Sequence, residues 1–201
     1  MHFPSKPMLR RTFTLSALAG LATAVVPAPV FALSEARARG LVDKVVGDIN
    51  AVIASGKSEA AMIRDFENIF TRYADVPIMA RYALGADARS ASKAQLNAFT
   101  KAFQGYIANK YGRRFREFIG GRVEVTSARQ IKNGYEIRST AKLQGQAPFD
   151  VTFLVSDRSG RDLFYNMFIE GVNLLLTERT EIGAMLDRRK GNIDQLIADI
   201  S

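Results

Sequence analysis

GRVEVTSARQIKNGYEIRSTAKLQGQAPFDVTFLVSDRSGRDLFYNMFIEG, residues 121–171, is the stretch that decides the fold. It divides into four segments of strand length, Arg122–Lys132, Tyr135–Leu143, Pro148–Ser156 and Arg161–Glu170. Asn133-Gly134, Gln144-Gly145-Gln146 and Asp157-Arg158-Ser159-Gly160 separate them. Asn-Gly between alternating segments predicts a hairpin with a type I′ turn, because both central residues of that turn need a positive φ. Side chains on a strand alternate between two faces. Tyr135, Ile137, Ala141 and Leu143 therefore share one face, and Glu136, Arg138, Thr140 and Lys142 share the other. Phe149, Val151, Phe153 and Val155 group in the same way, as do Leu163, Tyr165, Met167 and Ile169. The expectation is a four-stranded antiparallel meander with one apolar face that something must cover.

The cover is legible on both sides of the meander. Ser34–Ser55 carries Leu41, Val45, Ile49 and Val52 at helical spacing and stops at Gly56. A second helix from Ser58 carries Met62, Phe66, Ile69, Phe70 and Tyr73 on one side. Asp75-Val76-Pro77 opens a short helix that ends at Gly85, with the aspartate placed as a cap and proline in the first turn. Ser90 or Ser92 caps a long helix predicted to run to about Ile119, with Phe99, Phe103, Tyr106, Ile107 and Tyr111 on one face. After the sheet, Val172–Arg189 and Asn192–Ile200 read as helices. Helices, a meander, then helices is an α+β pattern: a curved four-stranded antiparallel sheet covered by helices.

Residues 1–32 form an export signal by their pattern. Lys6, Arg10 and Arg11 are followed by the mildly apolar Thr12–Val26, and Val30-Phe31-Ala32 is a small-x-small cleavage site. Arg10-Arg11-Thr12-Phe13 resembles a twin-arginine export motif, with Thr14 where leucine is preferred. The expectation is a single domain over residues 33–201, outside the cytoplasm.

Composition narrows the chemistry. There is no cysteine, and the single histidine is His2, inside the export signal. Disulfides, thiolate catalysis and zinc–thiolate sites are excluded, and the commonest general base and metal ligand are lost with the signal. No metal site or cofactor is expected. Lys6, Arg10 and Arg11 account for three of the eight net positive charges, and the rest are too dispersed for a nucleic-acid stripe. Asp75 is placed as a helix cap rather than as a buried catalytic carboxylate, and Asp150 as a solvated strand residue. Glu170 fits an ion pair with an arginine. No phosphate loop or nucleophile elbow is present. Thirteen Phe and six Tyr remain as the unusual feature. Periodicity by itself favours an ordinary core, but helices over a curved sheet can also leave an apolar cavity.

Longer-range patterns add a resemblance. Phe66-x-x-Ile69-Phe70-x-x-Tyr73-x-Asp75, Met79-Ala80-Arg81-x-x-Leu84-Gly85, and Gln95-x-x-x-Phe99-x-x-x-Phe103 followed by Tyr111 are similar to the toluene-tolerance, or MlaC-type, periplasmic phospholipid-binding family. So are Ile169-Glu170-Gly171-Val172-Asn173-Leu174, Arg179 and Gly191-x-Ile193-Asp194-x-Leu196-Ile197. Departures are Ala86-Asp87-Ala88 where a tryptophan is frequent, Leu163 and Asn166 where the family often has Trp-x-x-x-Asp, and Asn173 in place of serine.

The resemblance implies a fold related to nuclear transport factor 2, with helical extensions at both ends. It also implies a non-enzymatic shuttle in the periplasm. Phospholipid would pass between an outer-membrane lipoprotein complex and an inner-membrane ABC transporter complex. On that reading Val151, Phe153, Tyr165 and Met167 line a lipid pocket from the sheet, and Phe70, Tyr73, Phe103 and Tyr106 face them from the helices. A hopanoid-type cargo, or a small isomerase or dehydratase on the same fold, are the rival readings.

Overall fold

Tyr135, Ile137, Ser139 and Ala141 pair across the ladder with Val155, Phe153, Val151 and Phe149, so the apolar residues of the two central strands fall on one face. Ile137, Ala141, Phe153 and Val155 are almost fully buried there. The structure is a computed structural model that describes residues 33–201, apart from the side chains at 115 and 116. The expected export signal over residues 1–32, with its expected cleavage near Ala32, lies outside the described residues.

The strands are β1 (Arg122–Ile131), β2 (Gly134–Lys142), β3 (Phe149–Ser156), β4 (Leu163–Ile169) and β5 (Val172–Asn173). They form one antiparallel meander in the order β1-β2-β3-β4-β5. The sheet therefore has five strands, not four. Glu170 and Gly171 both take positive φ (50° and 77°) and turn the chain straight back, pairing Ile169 with Val172 and Phe168 with Asn173. Glutamate carries no positive-φ signal, so Val172 reads as helix from sequence although it belongs to this hairpin.

The first hairpin also differs in frame. Ile131 pairs with Gly134, which makes Lys132 and Asn133 the central turn residues, and neither has a positive φ. Gly134 stands at the closing position of the turn, a place glycine favours in type I turns, rather than inside a type I′ turn.

The helices are α1 (Glu35–Ile53), α2 (Glu59–Tyr73), α3 (Val76–Leu84), α4 (Lys93–Gly112), α5 (Leu174–Arg188) and α6 (Ile193–Ile200). A 3₁₀ turn, Gly85–Arg89, follows α3, and another, Arg113–Phe118, follows α4. α1 lies against β1 and β2; α2 packs on α4; α5 returns to α3 and β4; and α6 lies on α4. At the start of α4 the Ser92 hydroxyl accepts from the Gln95 amide and the Gln95 side chain accepts from the Ser92 amide, a complete capping box.

α4 ends at Gly112, short of the predicted Ile119. A β-carbon at Gly112 would stand 3.1 Å from the Ile63 backbone, so the two helices meet closely there. The chain then tightens into the second 3₁₀ turn, which sets Phe118 edge-on to Phe149 with ring centres 5.9 Å apart.

Two polar links tie the layers. Asp75 is buried; its carboxylate accepts from the Ile78 amide at 3.3 Å and from the Ser159 hydroxyl, and its own amide donates to Phe164 O at 2.8 Å. It caps α3 and pins the β3–β4 turn to the same corner. Asp75→Ala is expected to lower the unfolding free energy by about 3 kcal/mol, a cap plus a charge-assisted bond. Asp75→Asn, which retains the cap, should lose clearly less; equal losses in denaturant titrations would refute the assignment.

Asn166 and Asn173, both departures from the family pattern, form a single unit. The Asn166 amide donates to Asn173 Oδ1 at 3.0 Å, and that oxygen also accepts from the Leu176 amide to cap α5. Among the described residues no helix is long and apolar enough to cross a membrane.

Candidate functional site

Between the inner face of the sheet and the helices lies a cavity of about 410 Å³. Its floor comes from Val123, Phe149, Val151, Phe153, Phe164, Met167 and Ile169. Val45 and Ile49 of α1, Phe66, Ile69 and Phe70 of α2, and Ile107 and Tyr111 of α4 supply the roof. Met79 of α3, Leu174 of α5 and Phe118 close it further. Polar lining is restricted to Tyr111, Arg114, Glu117, Gln146 and Glu170, and the last four are exposed. The site is an apolar chamber with a polar mouth.

Of the eight residues proposed from sequence, Phe70, Val151, Phe153 and Met167 line this cavity. Tyr73, Phe103, Tyr106 and Tyr165 do not, for two different reasons. Tyr165 is the extra residue of a β-bulge: Leu154 pairs with Asn166 and Val155 with Phe164, leaving Tyr165 unpaired between them. The bulge inverts the parity of the first part of β4. Phe164 takes the inward place, with its ring 5.5 Å from that of Phe153 in an edge contact.

On the helices the difference is one of rotation. Tyr73 turns to α1, where its hydroxyl donates to Asp48 at 2.9 Å. α4 packs on α2, α3 and α6, so its apolar stripe is divided between helix–helix core and cavity. Phe103 is fully buried with Phe99 at 5.9 Å, and Tyr106 points to α5. Phe149 and Ile169 share parity with Val151 and Met167, and that signal was available in the sequence. Nothing local announced Phe164.

Behind the Tyr111 wall lies a partly buried polar network. The Tyr111 hydroxyl and Lys110 Nζ both donate to Glu178 Oε1, at 2.5 and 2.8 Å. Lys110 also donates to Glu181 at 2.5 Å, and the Tyr106 hydroxyl donates to Glu181 at 2.9 Å. Glu178 is completely buried. The network turns the Tyr111 hydroxyl away from the chamber and its ring towards it.

Burial first, then the bond to Glu178, pushes the Tyr111 phenol above its usual range. For Tyr106 the causes are burial, the Glu178 charge and the bond to Glu181. Burial opposes the Lys110 ammonium, but its bonds to Glu178 and Glu181 outweigh that and raise its pKa. The Lys110 bond in turn lowers the Glu181 carboxyl. A phenol raised in the folded state contributes stability that is full below its unfolded pKa of about 10 and is lost as pH climbs through the folded value. A spectrophotometric titration should therefore find Tyr106 and Tyr111 still protonated at about pH 11. Tyr111→Phe should remove one late-titrating phenol. Simultaneous ionisation of all six tyrosines near pH 10 would contradict the network.

Asp75 and Asp150 stand outside the cavity lining, and Glu170 makes no ion pair among the described residues, contrary to the expected arginine partner. Among the described residues no group of His, Cys, Asp and Glu is arranged to hold a metal ion. What the chamber provides is desolvation for an apolar ligand and polar contact at one end.

Fold and cavity define an α+β protein with an apolar cavity between a sheet and its covering helices. The chain belongs to the MlaC family: the family model described as MlaC protein matches residues 40–201. Among solved structures it is similar to the phospholipid-binding protein from Ralstonia solanacearum, determined in complex with a phospholipid. The two share 18% sequence identity with a TM-score of 0.68, over 81% of this chain and 98% of that one.

Proposed function

We propose that this protein is a periplasmic phospholipid carrier, with no catalytic role, that moves lipid between an outer-membrane lipoprotein complex and an inner-membrane ABC transporter complex. The observation that carries the reading is the apolar chamber of about 410 Å³ with its polar groups confined to the mouth. Family membership and the phospholipid bound by the Ralstonia relative support it. The export pattern of residues 1–32 supports the compartment.

The physics of the task is acyl desolvation. Each methylene taken from water contributes roughly 0.8 kcal/mol, and a carrier need only offer an environment comparable to the bilayer. Loading and release then lie near balance, and the partner complexes set the direction. In the carrier, Phe70, Val151, Phe153 and Met167 hold the acyl chains, and the headgroup stays at the mouth beside Arg114, Glu117, Gln146 and Glu170.

Purification from lipid-replete cells followed by lipid mass spectrometry should recover phospholipid in a fixed ratio to protein. Reproducibly lipid-free protein would sink the proposal. Recovery of a hopanoid instead would retain the carrier and change its cargo.

A further inference from the structure

The outer surface of α3, the 3₁₀ turn Gly85–Arg89 and the start of α5 combines two features that soluble surfaces usually keep apart. Five large hydrophobic residues are prominently exposed among the described residues, and three belong to these elements: Ile78 (41%), Tyr82 (40%) and Leu176 (50%). Between the elements runs an open groove of about 430 Å³ lined by Ile78, Tyr82, Arg81, Arg89 and Arg179 over a floor that includes Gly85.

Arg179 lies one turn beyond Leu176 on the same side of α5, with its guanidinium carbon 5.1 Å from the centre of the Tyr82 ring. Gly85, with φ of 69°, lies beside that guanidinium; a β-carbon there would be in ordinary contact with it at 3.6 Å. All three arginines are exposed, and none makes an ion pair among the described residues. The neighbouring carboxylates do not neutralise them. Asp75 and Glu178 are buried, Glu181 is held by Lys110, and the exposed Asp87 makes no ion pair among the described residues.

Arginines level with isoleucine, leucine and tyrosine tips are the composition that settles at the headgroup layer of a bilayer. The groove is shallow and floored by small residues, which suits phosphates and offers no closed pocket for the anchor residue of a protein partner. We infer that this face docks on an anionic phospholipid bilayer, with Arg81, Arg89 and Arg179 on lipid phosphates and Ile78, Tyr82 and Leu176 entering the interface. The same two helices turn Met79 and Leu174 to the chamber, so the docked surface is the outer side of the cavity wall. The inference does not depend on what the chamber carries.

The chain has no cysteine, so a Leu176→Cys variant of the full chain takes a single environment-sensitive fluorophore. Vesicles containing phosphatidylglycerol should shift its emission to the blue at low salt, and pure phosphatidylcholine vesicles should not. About 1 M salt, where the Debye length is ~3 Å, should reverse the shift. The same label at Lys132→Cys, in the β1–β2 turn and outside the groove lining, should not respond. In an R81Q/R89Q/R179Q background the lipid needed for half the shift should rise about a hundredfold, near fivefold for each charge. Circular dichroism melts verify that this background is folded. An absent shift, an equal shift with phosphatidylcholine, or an unchanged response in the triple variant would each overturn the inference. A response to an acidic polypeptide but not to anionic vesicles would overturn it in favour of a protein partner.

Discussion

Val151→Arg is expected to empty the chamber while the protein stays folded. Val151 sits in the middle of β3, pairs with Ser139 and Ile169, and faces the cavity. A guanidinium at that position would displace methylenes or be buried among them. A charge in hydrocarbon costs about 3 kcal/mol, which corresponds to roughly a hundredfold loss of lipid occupancy. The cavity provides room for the longer side chain, so the fold should tolerate what the ligand cannot. Val151→Leu, which keeps the wall apolar, should load lipid at close to the wild-type ratio. Lipid per protein, measured by mass spectrometry on the three proteins purified in parallel, is the readout. Undiminished occupancy in Val151→Arg would mean that β3 is not part of the lipid site.

Gly134→Ala is expected to produce the largest loss of stability among single small substitutions. Gly134 has φ of 127°, where side chains other than hydrogen are strained, and an added β-carbon would lie 2.0 Å from the Val155 carbonyl oxygen on β3. Relief requires separating β2 from β3 at the position where Tyr135 meets Val155, the end of the central ladder. A loss of about 3 kcal/mol or more is expected, comparable to other backbone-incompatible substitutions. For a chain of this size that lowers Tm by roughly 10 °C. Gly145→Ala is the comparison: its φ of 73° is also unfavourable, but nothing lies within 4 Å of the new atom. It should cost only the strain of the turn. Equal melting temperatures for the two variants would show that the contact with Val155 is not what requires glycine at 134.

Residues that line the cavity and residues that turn away from it differ for a consistent reason. On β3 the alternation of Phe149, Val151, Phe153 and Val155 is uninterrupted, and parity places the whole strand. On β4 one bulged residue, Tyr165, shifts everything before it, so Phe164 replaces it on the inner face. A bulge is set by how two strands twist against each other, and no residue of Leu163–Ile169 encodes it alone. On α4 the spacing of Phe99, Phe103, Tyr106, Ile107 and Tyr111 identified one apolar side. That side is wide enough to touch α6, α2 and the cavity in different places. Asp75 is legible as a cap because capping is a local contest for the backbone amides of the next turn, and its own sequence neighbours decide it.

The sequence by itself therefore determined the α+β class, the order of helices and central strands, the apolar inner face of β2 and β3, and the family pattern that spans most of the chain. These rest on periodicity and capping, which act over a few residues. Only the tertiary structure decided the fifth strand at Glu170-Gly171, the inward turn of Phe164, the division of the α4 stripe, and the gathering of Ile78, Tyr82, Leu176 and three arginines on one outer face. Each of these depends on where a second, distant segment packs, and a short-range pattern contains no term for that.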